Sequence, residues 1–327
     1  MPVLSETPTH HDRHGRYPQA TTVEDFQRNL AAVHGRIAAA CRLAGQLKAW
    51  VVLKGCGSIV ANPDGRWWIN PSGNPAMATA GMGDVLSGIL AALLARGWDA
   101  GEALLAAVQE IAADRSVRAV LLKGAGRAFV AGGDLATLQA NPVQGAQDLL
   151  EPLNAAVTLL HGLDAPVIAQ VHGAAAGAGL SLMLMCDFVL AAEGTKFNLA
   201  YINLGTSCDV GASWALPRLV GLRRALEIAM LGEGFGADEA LRLGLINRLL
   251  PAAELEDAAR AFAQRLASGP TLAYGHMRRL MRGSFDHDLA TQLQAEAQCF
   301  DACARTADLR EGIEAFFAKR PPQFQGR

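Results

Sequence analysis

Two short runs of small residues carry the most legible chemistry in this chain. Phe129-Val130-Ala131-Gly132-Gly133-Asp134 and His172-Gly173-Ala174-Ala175-Ala176-Gly177-Ala178-Gly179-Leu180-Ser181 each follow a β-branched, strand-like run. Glycine and alanine at such turns let backbone N–H groups come close to a ligand. Main-chain donors held where negative charge develops are worth several kcal/mol to a reaction that passes through an enolate. Together the turns read as the two halves of an oxyanion hole, which points to an enzyme rather than a binding module. Tight helix–sheet packing by small residues is the competing explanation. It accounts for either turn alone but poorly for both.

Such turns need strands to enter them and helices to leave them. Residues 114–124 read as a helix end followed by a strand, 165–173 as a second strand, and 180–186 as a buried helix. The apolar stretch 171–192 reads as a buried helix rather than a membrane span, because Asp187 interrupts it. A buried Asp187 needs a partner, and Arg218 is the candidate. Nearer the N-terminus, 50–55 and 58–61 read as strands, Asn62-Pro63-Asp64-Gly65 as a hairpin turn, and 66–70 as the returning strand.

Bulk composition narrows the class. A chain of 327 residues, 51% apolar and 18% charged, is long enough for one or two well-buried domains. A formal net charge of -2 without a basic run excludes a nucleic-acid field or a polyanion surface. The six cysteines form no CxxC pair and no zinc-finger spacing, so reduced thiols in a cytoplasmic protein are expected. Cys299 and Cys303 lie one helical turn apart and read as two buried thiols. Residues 1–20 carry His10, His11 and His14 but no apolar core of a secretory signal, and read as a solvated tail. Trp98, Trp214 and Tyr274 read as packing residues.

The string Gly73-Asn74-Pro75-Ala76-Met77-Ala78-Thr79-Ala80-Gly81-Met82-Gly83-Asp84-Val85-Leu86-Ser87-Gly88 resembles the C-terminal part of the ADP- or ATP-dependent NAD(P)H-hydrate dehydratases, which have a ribokinase-like fold. The resemblance implies that Gly81 and Gly83 open a helix whose N–H groups face phosphate, with Asp84 as base. Only about the first hundred residues match, without the family's first half and closing segment. A vestigial phosphate site is therefore the expectation, and an active repair lyase the alternative.

From about residue 107 the chain resembles the crotonase family of acyl-CoA hydratases and isomerases. The resemblance rests on the strand before Lys123-Gly124, the 127–135 turn, Ala165-Pro166-Val167 through His172-Gly173, Ala237-Asp238-Glu239-Ala240 through Leu245-Ile246-Asn247, and the ending Glu311-Gly312-Ile313 through Lys319-Arg320-Pro321. It implies an α/β protein with a crotonase-like ββα spiral core and a C-terminal helical trimerisation region, preceded by a truncated ribokinase-like α/β segment. The divisions expected are a tail at 1–20, the ribokinase-like segment at 21–106, the core at 107–240 and the helical region at 241–327. The family's usual first strand pair is missing, and the 51–70 hairpin is expected to stand in for it along the open sheet edge.

The same resemblance assigns the paired donors to the backbone N–H groups of Gly133 and Ala178. Hydratases of the family place two glutamates at positions occupied here by Ser181 and Tyr201, both poor bases near neutral pH. Ordinary hydration is then impaired. Asp209 stands where isomerases and aryl-CoA dehalogenases of the family carry an aspartate, which implies a single proton carrier; as a helix N-cap it has a second reading, and both roles can coexist. His172, beside the second turn, reads as structural. The family's acyl-CoA site implies Ala131, Asp134 and Leu135 at the pantetheine, Gly177, Ser181, Ala200 and Tyr201 at the acyl group, and Phe316 and Lys319 near the nucleotide, with the tail along 136–150. No metal and no cofactor beyond the substrate's own coenzyme A is implied, and a homotrimer or hexamer is expected. Isomerase or lyase chemistry leads, ahead of a non-catalytic fused subunit.

Overall fold

The computed structural model describes residues 51–53, 58–61, 67–70, 100–124, 126–133 and 135–327. Two compact units, Met1–Pro75 and Ala76–Arg327, divide the chain. In the first, β1 (Val51–Leu53), β2 (Ser58–Ala61) and β3 (Trp67–Asn70) form an antiparallel sheet in the order β1-β2-β3. Val52 pairs with Val60, and Val60 with Trp68, as two successive hairpins require.

In the second unit the first described elements are helix α1 (Ala100–Ala113) and strand β4 (Val120–Lys123). Short helix α2 (Leu135–Ala140) and long helix α3 (Pro142–Gly162) follow. Asn141 caps α3 by accepting the Gln144 N–H at 3.3 Å, and Pro142 stands at the first helical position, where its missing N–H costs nothing. Strand β5 (Val167–Val171) then enters the sheet, followed by β6 (Ala174–Ala176), helix α4 (Ala178–Leu184) and β7 (Phe188–Ala192). The run 171–192 is therefore strand, strand, helix and strand, not the single buried helix its composition suggested. Both faces of this sheet are covered, so buried strands and buried helices carry the same unbroken apolar sequence.

Chain continues through β8 (Lys196–Asn198), a 3₁₀ turn at Tyr201–Leu204, and helices α5 (Ala212–Val220) and α6 (Leu222–Leu231). After β9 (Phe235–Gly236), α7 (Ala237–Arg242) and β10 (Arg248–Leu250) come four helices. These are α8 (Leu255–Ala267), α9 (Thr271–Gly283), α10 (Leu289–Ala304) and α11 (Ala307–Phe317).

Strands β10-β7-β5-β4 make a four-stranded, wholly parallel sheet, and β6-β8-β9 a smaller second one. Along β5, Val167, Ala169 and Val171 enter the main core with Leu104, Val108 and Ile111 of α1 and Ala156, Val157 and Leu160 of α3. Ile168 faces the other way, to Leu190, Ala192, Leu255 and Ala259 under α8. Among the described residues β4 pairs with β5, and β1–β3 form a sheet of their own.

Asp187 finds its partners on α9 rather than at Arg218. Its carboxylate lies 2.8 Å from both Arg278 and Arg282 and accepts the Val167 N–H at 2.7 Å. Arg218 instead covers the Trp214 ring at 4.3 Å and reaches Asp286 at 3.4 Å. No described helix is long and apolar enough to cross a membrane.

Candidate active site

The two glycine turns meet because their strands pair. Val130 bridges Ala175 in parallel, the Ala176 N–H donates to the Val130 carbonyl at 3.0 Å, and the Phe129 N–H to that of Ala174 at 3.1 Å. The chain leaves these contacts through Gly132 at φ +128 and Gly177 at φ +50, both in the positive-φ region that favours glycine. A Cβ on Gly177 would lie 3.7 Å from the Gly132 Cα. Two glycines of the second run set the spacing tightly: a Cβ on Gly173 would sit 1.9 Å from the Arg127 carbonyl oxygen, and one on Gly179, in α4, 2.2 Å from that of Val130. Ala178 is the first residue of α4, and neither its N–H nor that of Gly133 has a hydrogen-bond partner among the described residues.

His172 supports the first turn from behind. Its Nε2 lies 3.0 Å from the Gly126 carbonyl, the structural role expected of it. His161 rests edge-on against Trp214 at 5.4 Å, and burial, with Arg282 and Arg278 adding to it, holds its pKa below the ordinary histidine value. Burial likewise pushes the Cys186 thiol far up, which leaves it a packing residue.

Beside the second turn stands a chain of three side chains. The fully buried Ser181 hydroxyl lies 3.2 Å from the Gly177 carbonyl and 2.8 Å from the Tyr201 hydroxyl. Tyr201 in turn donates to Oδ1 of Asp209. Ala200, at φ 57, turns Tyr201 inward, its N–H held by the Asn198 side chain at 2.7 Å. On the other flank Val210 has φ 51 and is 1% exposed. A β-branched residue in left-handed backbone is strained, and such strain concentrates at functional loops. Gly211 follows at φ 84, packed so that a Cβ would lie 2.7 Å from the Met185 Sδ.

Gly211, not Asp209, is the N-cap of α5, and the Asp209 side chain is spent on Tyr201, so the capping alternative is removed. Burial raises the Asp209 carboxyl above its ordinary value, opposed by the Tyr201 hydrogen bond. Burial first, then the carboxylate beside it, pushes the Tyr201 phenol far up. Tyr201 is therefore a proton donor to Asp209 and not a base. The sequence offered no sign of this bond beyond hydroxyl-bearing residues at positions 181 and 201.

Other expected site residues are placed less closely. Ala131 and Leu135 are exposed around the first turn. Phe316 lies exposed at the end of α11, edge-on to Phe317 at 5.7 Å, and Lys319 follows it at φ 53; no described hydrogen bond, ion pair or ring contact joins either to the turns. Asp134, Gly81, Gly83 and Asp84 lie outside the described residues. No group of three or more metal-ligating side chains occurs among the described residues.

Both the sequence and the fold match known proteins. The family model described as enoyl-CoA hydratase/isomerase matches residues 100–327, and that described as NAD(P)H-hydrate dehydratase matches 23–130. The chain belongs to the enoyl-CoA hydratase/isomerase family. It is 39% identical over 224 residues, 67% of this chain and 86% of the relative, to the 1,2-epoxyphenylacetyl-CoA isomerase of Escherichia coli. It is 32% identical over 219 residues, 67% of this chain and 84% of the relative, to the crotonyl-CoA hydratase of Syntrophomonas wolfei. The solved enoyl-CoA hydratase of Bacillus anthracis superposes with a TM-score of 0.67 at 32% identity, covering 70% of this chain and 89% of that one. The crotonase-like α/β fold and family expected from the sequence are thus confirmed, and the ribokinase-like segment is matched by sequence alone.

Proposed function

We propose that this protein is an acyl-CoA isomerase or lyase acting through a thioester enolate, with one aspartate as proton carrier. The observation that carries this reading is the Asp209 carboxylate beside the second glycine turn, hydrogen-bonded to Tyr201 at one oxygen, where Ser181 and Tyr201 replace a pair of carboxylates. In this reading the Gly133 and Ala178 N–H groups receive the thioester oxygen. Asp209 takes a proton from the carbon next to it: the C–H bond breaks, an O–H bond forms on the carboxylate, and the electron pair enters the enolate. The proton returns at another carbon, and the double bond moves. Burial that raises Asp209 brings its pKa nearer the working pH, which suits a group that both accepts and donates. Main-chain donors meet the developing charge, so the chemistry needs neither metal nor cofactor beyond coenzyme A in the substrate.

Around this centre, Ala131, Asp134 and Leu135 take the pantetheine, Gly177, Ser181, Ala200 and Tyr201 the acyl group, and Phe316 and Lys319 the nucleotide. Helix α10 buries none of its side chains, and Leu293 and Phe300 on it are exposed. That apolar surface supports a homotrimer built on α10 and α11. Four described cysteines are free thiols, in keeping with a cytoplasmic protein. The repair-lyase alternative is disfavoured because residues matched by both family models already serve the parallel sheet, as α1 and β4 do.

Solvent-deuterium uptake into phenylacetyl-CoA and 3-butenoyl-CoA tests the reading. The wild type is expected to incorporate deuterium and Asp209→Asn to lose it. Unchanged uptake by that variant rejects the base assignment. Absence of acyl-CoA binding by the wild type supports the non-catalytic subunit instead.

A further inference from the structure

We propose that Tyr201 is a positioning residue that acts through Asp209: backed by Ser181, its hydroxyl holds Oδ1 and leaves Oδ2 as the oxygen that carries the proton. The inference rests on the reading of Asp209 as proton carrier. It goes further in naming the atom and the device that orients it.

Hydrogen counting gives the direction of the relay. Tyr201 has one hydroxyl proton and gives it to Oδ1, so the Ser181–Tyr201 contact at 2.8 Å has Ser181 as donor. The Ser181 backbone N–H donates to the Gly177 carbonyl at 3.0 Å, in the turn that precedes Ala178. The acid is thus tied by two side chains to the same turn that presents an oxyanion donor. Oδ2 has no hydrogen-bond partner among the described residues. Left-handed backbone at Ala200 and Val210 fixes both ends of the tie. A carboxylate gripped at one oxygen cannot rotate freely about its last bond, which keeps the second oxygen aimed at one position.

Few charges compete with this arrangement. The 3₁₀ turn contributes Tyr201 and no charged group, and α4 contributes Ser181 and none. Cys208 adjoins the acid in sequence. Helix α5 carries one charged residue, Arg218, which is turned to the Trp214 ring and Asp286. Arg282 comes within 3.5 Å of the Met185 carbonyl but is paired with Asp187. The hydrogen bond from Tyr201 is accordingly the main influence that favours the ionised acid.

The test compares wild type, Tyr201→Phe, Ser181→Ala and Asp209→Asn as full-length proteins, with phenylacetyl-CoA exchange in D₂O followed against pH. Removing the Tyr201 hydroxyl takes a donor from the ionised carboxylate, so its pKa rises and the acid limb of kcat moves to higher pH. On the plateau kcat is expected to fall on the order of tenfold to a hundredfold, with KM nearly unchanged. Ser181→Ala is expected to move the limb the same way by less, and supplies the measurement should Tyr201→Phe not fold. A wild-type limb and plateau in either folded variant, or a rise in KM alone, overturns the proposal while Asp209→Asn remains inactive. Exchange surviving in Asp209→Asn overturns the underlying base assignment instead.

Discussion

Replacing Gly179 by alanine adds one methyl group at the seam between the two glycine turns. The new carbon would lie 2.2 Å from the Val130 carbonyl oxygen, 2.6 Å from its Cβ and 2.8 Å from its carbonyl carbon. The first of these is about 1 Å short of an ordinary contact, and main chain lies on both sides, so no flexible side-chain end can move aside. Turn and helix must separate by a similar distance, carrying Gly133 and Ala178 apart. Overpacking of this kind costs about 1–3 kcal/mol of stability, and a displacement of about 1 Å at reacting groups costs about a hundredfold in rate. Gly179 does not have a positive φ, so the effect is one of contact and not of backbone strain. We expect a folded protein whose deuterium exchange into phenylacetyl-CoA falls about a hundredfold in kcat/KM. Gly162→Ala serves as comparison: it ends α3 with nothing within 4 Å of its Cβ, and should raise stability by up to about 1 kcal/mol without touching exchange. Folded Gly179→Ala protein with the wild-type exchange rate refutes the reasoning.

Three further outcomes follow from the same geometry. Arg278→Met leaves the carbonyls of Leu160 and Ala165 without their Arg278 donor, and Asp187, at 12% side-chain exposure, with Arg282 as its remaining ion-pair partner; urea unfolding should show a loss of about 3–5 kcal/mol, and a loss below about 1 kcal/mol contradicts the buried clamp. Asp209 has its folded pKa raised above the unfolded value, so ionisation opposes folding above the folded pKa and has no effect below the unfolded one. Asp209→Asn should then melt above the wild type at pH 7, with the gap closing toward pH 4, and a wild type that melts higher at neutral pH speaks against the shift. Leu293→Glu with Phe300→Glu places charge on the exposed apolar face of α10 and should yield a smaller species in sedimentation; a wild type that already sediments as a single copy ends the trimer proposal.

Small residues at the two turns were readable in the chain because their requirement is local: Gly132 and Gly177 each adopt a positive φ. Strand β4 after a helix end and the antiparallel β1–β3 were readable for the same kind of reason, through periodicity and turn residues. The segment 171–192 was not. Its apolar run fits a helix or a doubly covered parallel strand equally, and only the pairing of β5 with β7 separates them. Asp209 looked like a helix cap because it precedes α5, yet the positive φ of Val210 and Gly211 carries the side chain back to Tyr201.

What the residues alone determined were the family, the kinds of groups available, and the hydroxyls at 181 and 201. Those follow from side-chain chemistry and short-range backbone preference, which are written one position at a time. Tertiary structure decided which groups meet: Val130 beside Ala175, Asp187 with Arg278 across 91 positions, and Tyr201 on Asp209. Pairing of strands and closure of loops depend on free energies shared over many distant contacts, so no single stretch of sequence contains them.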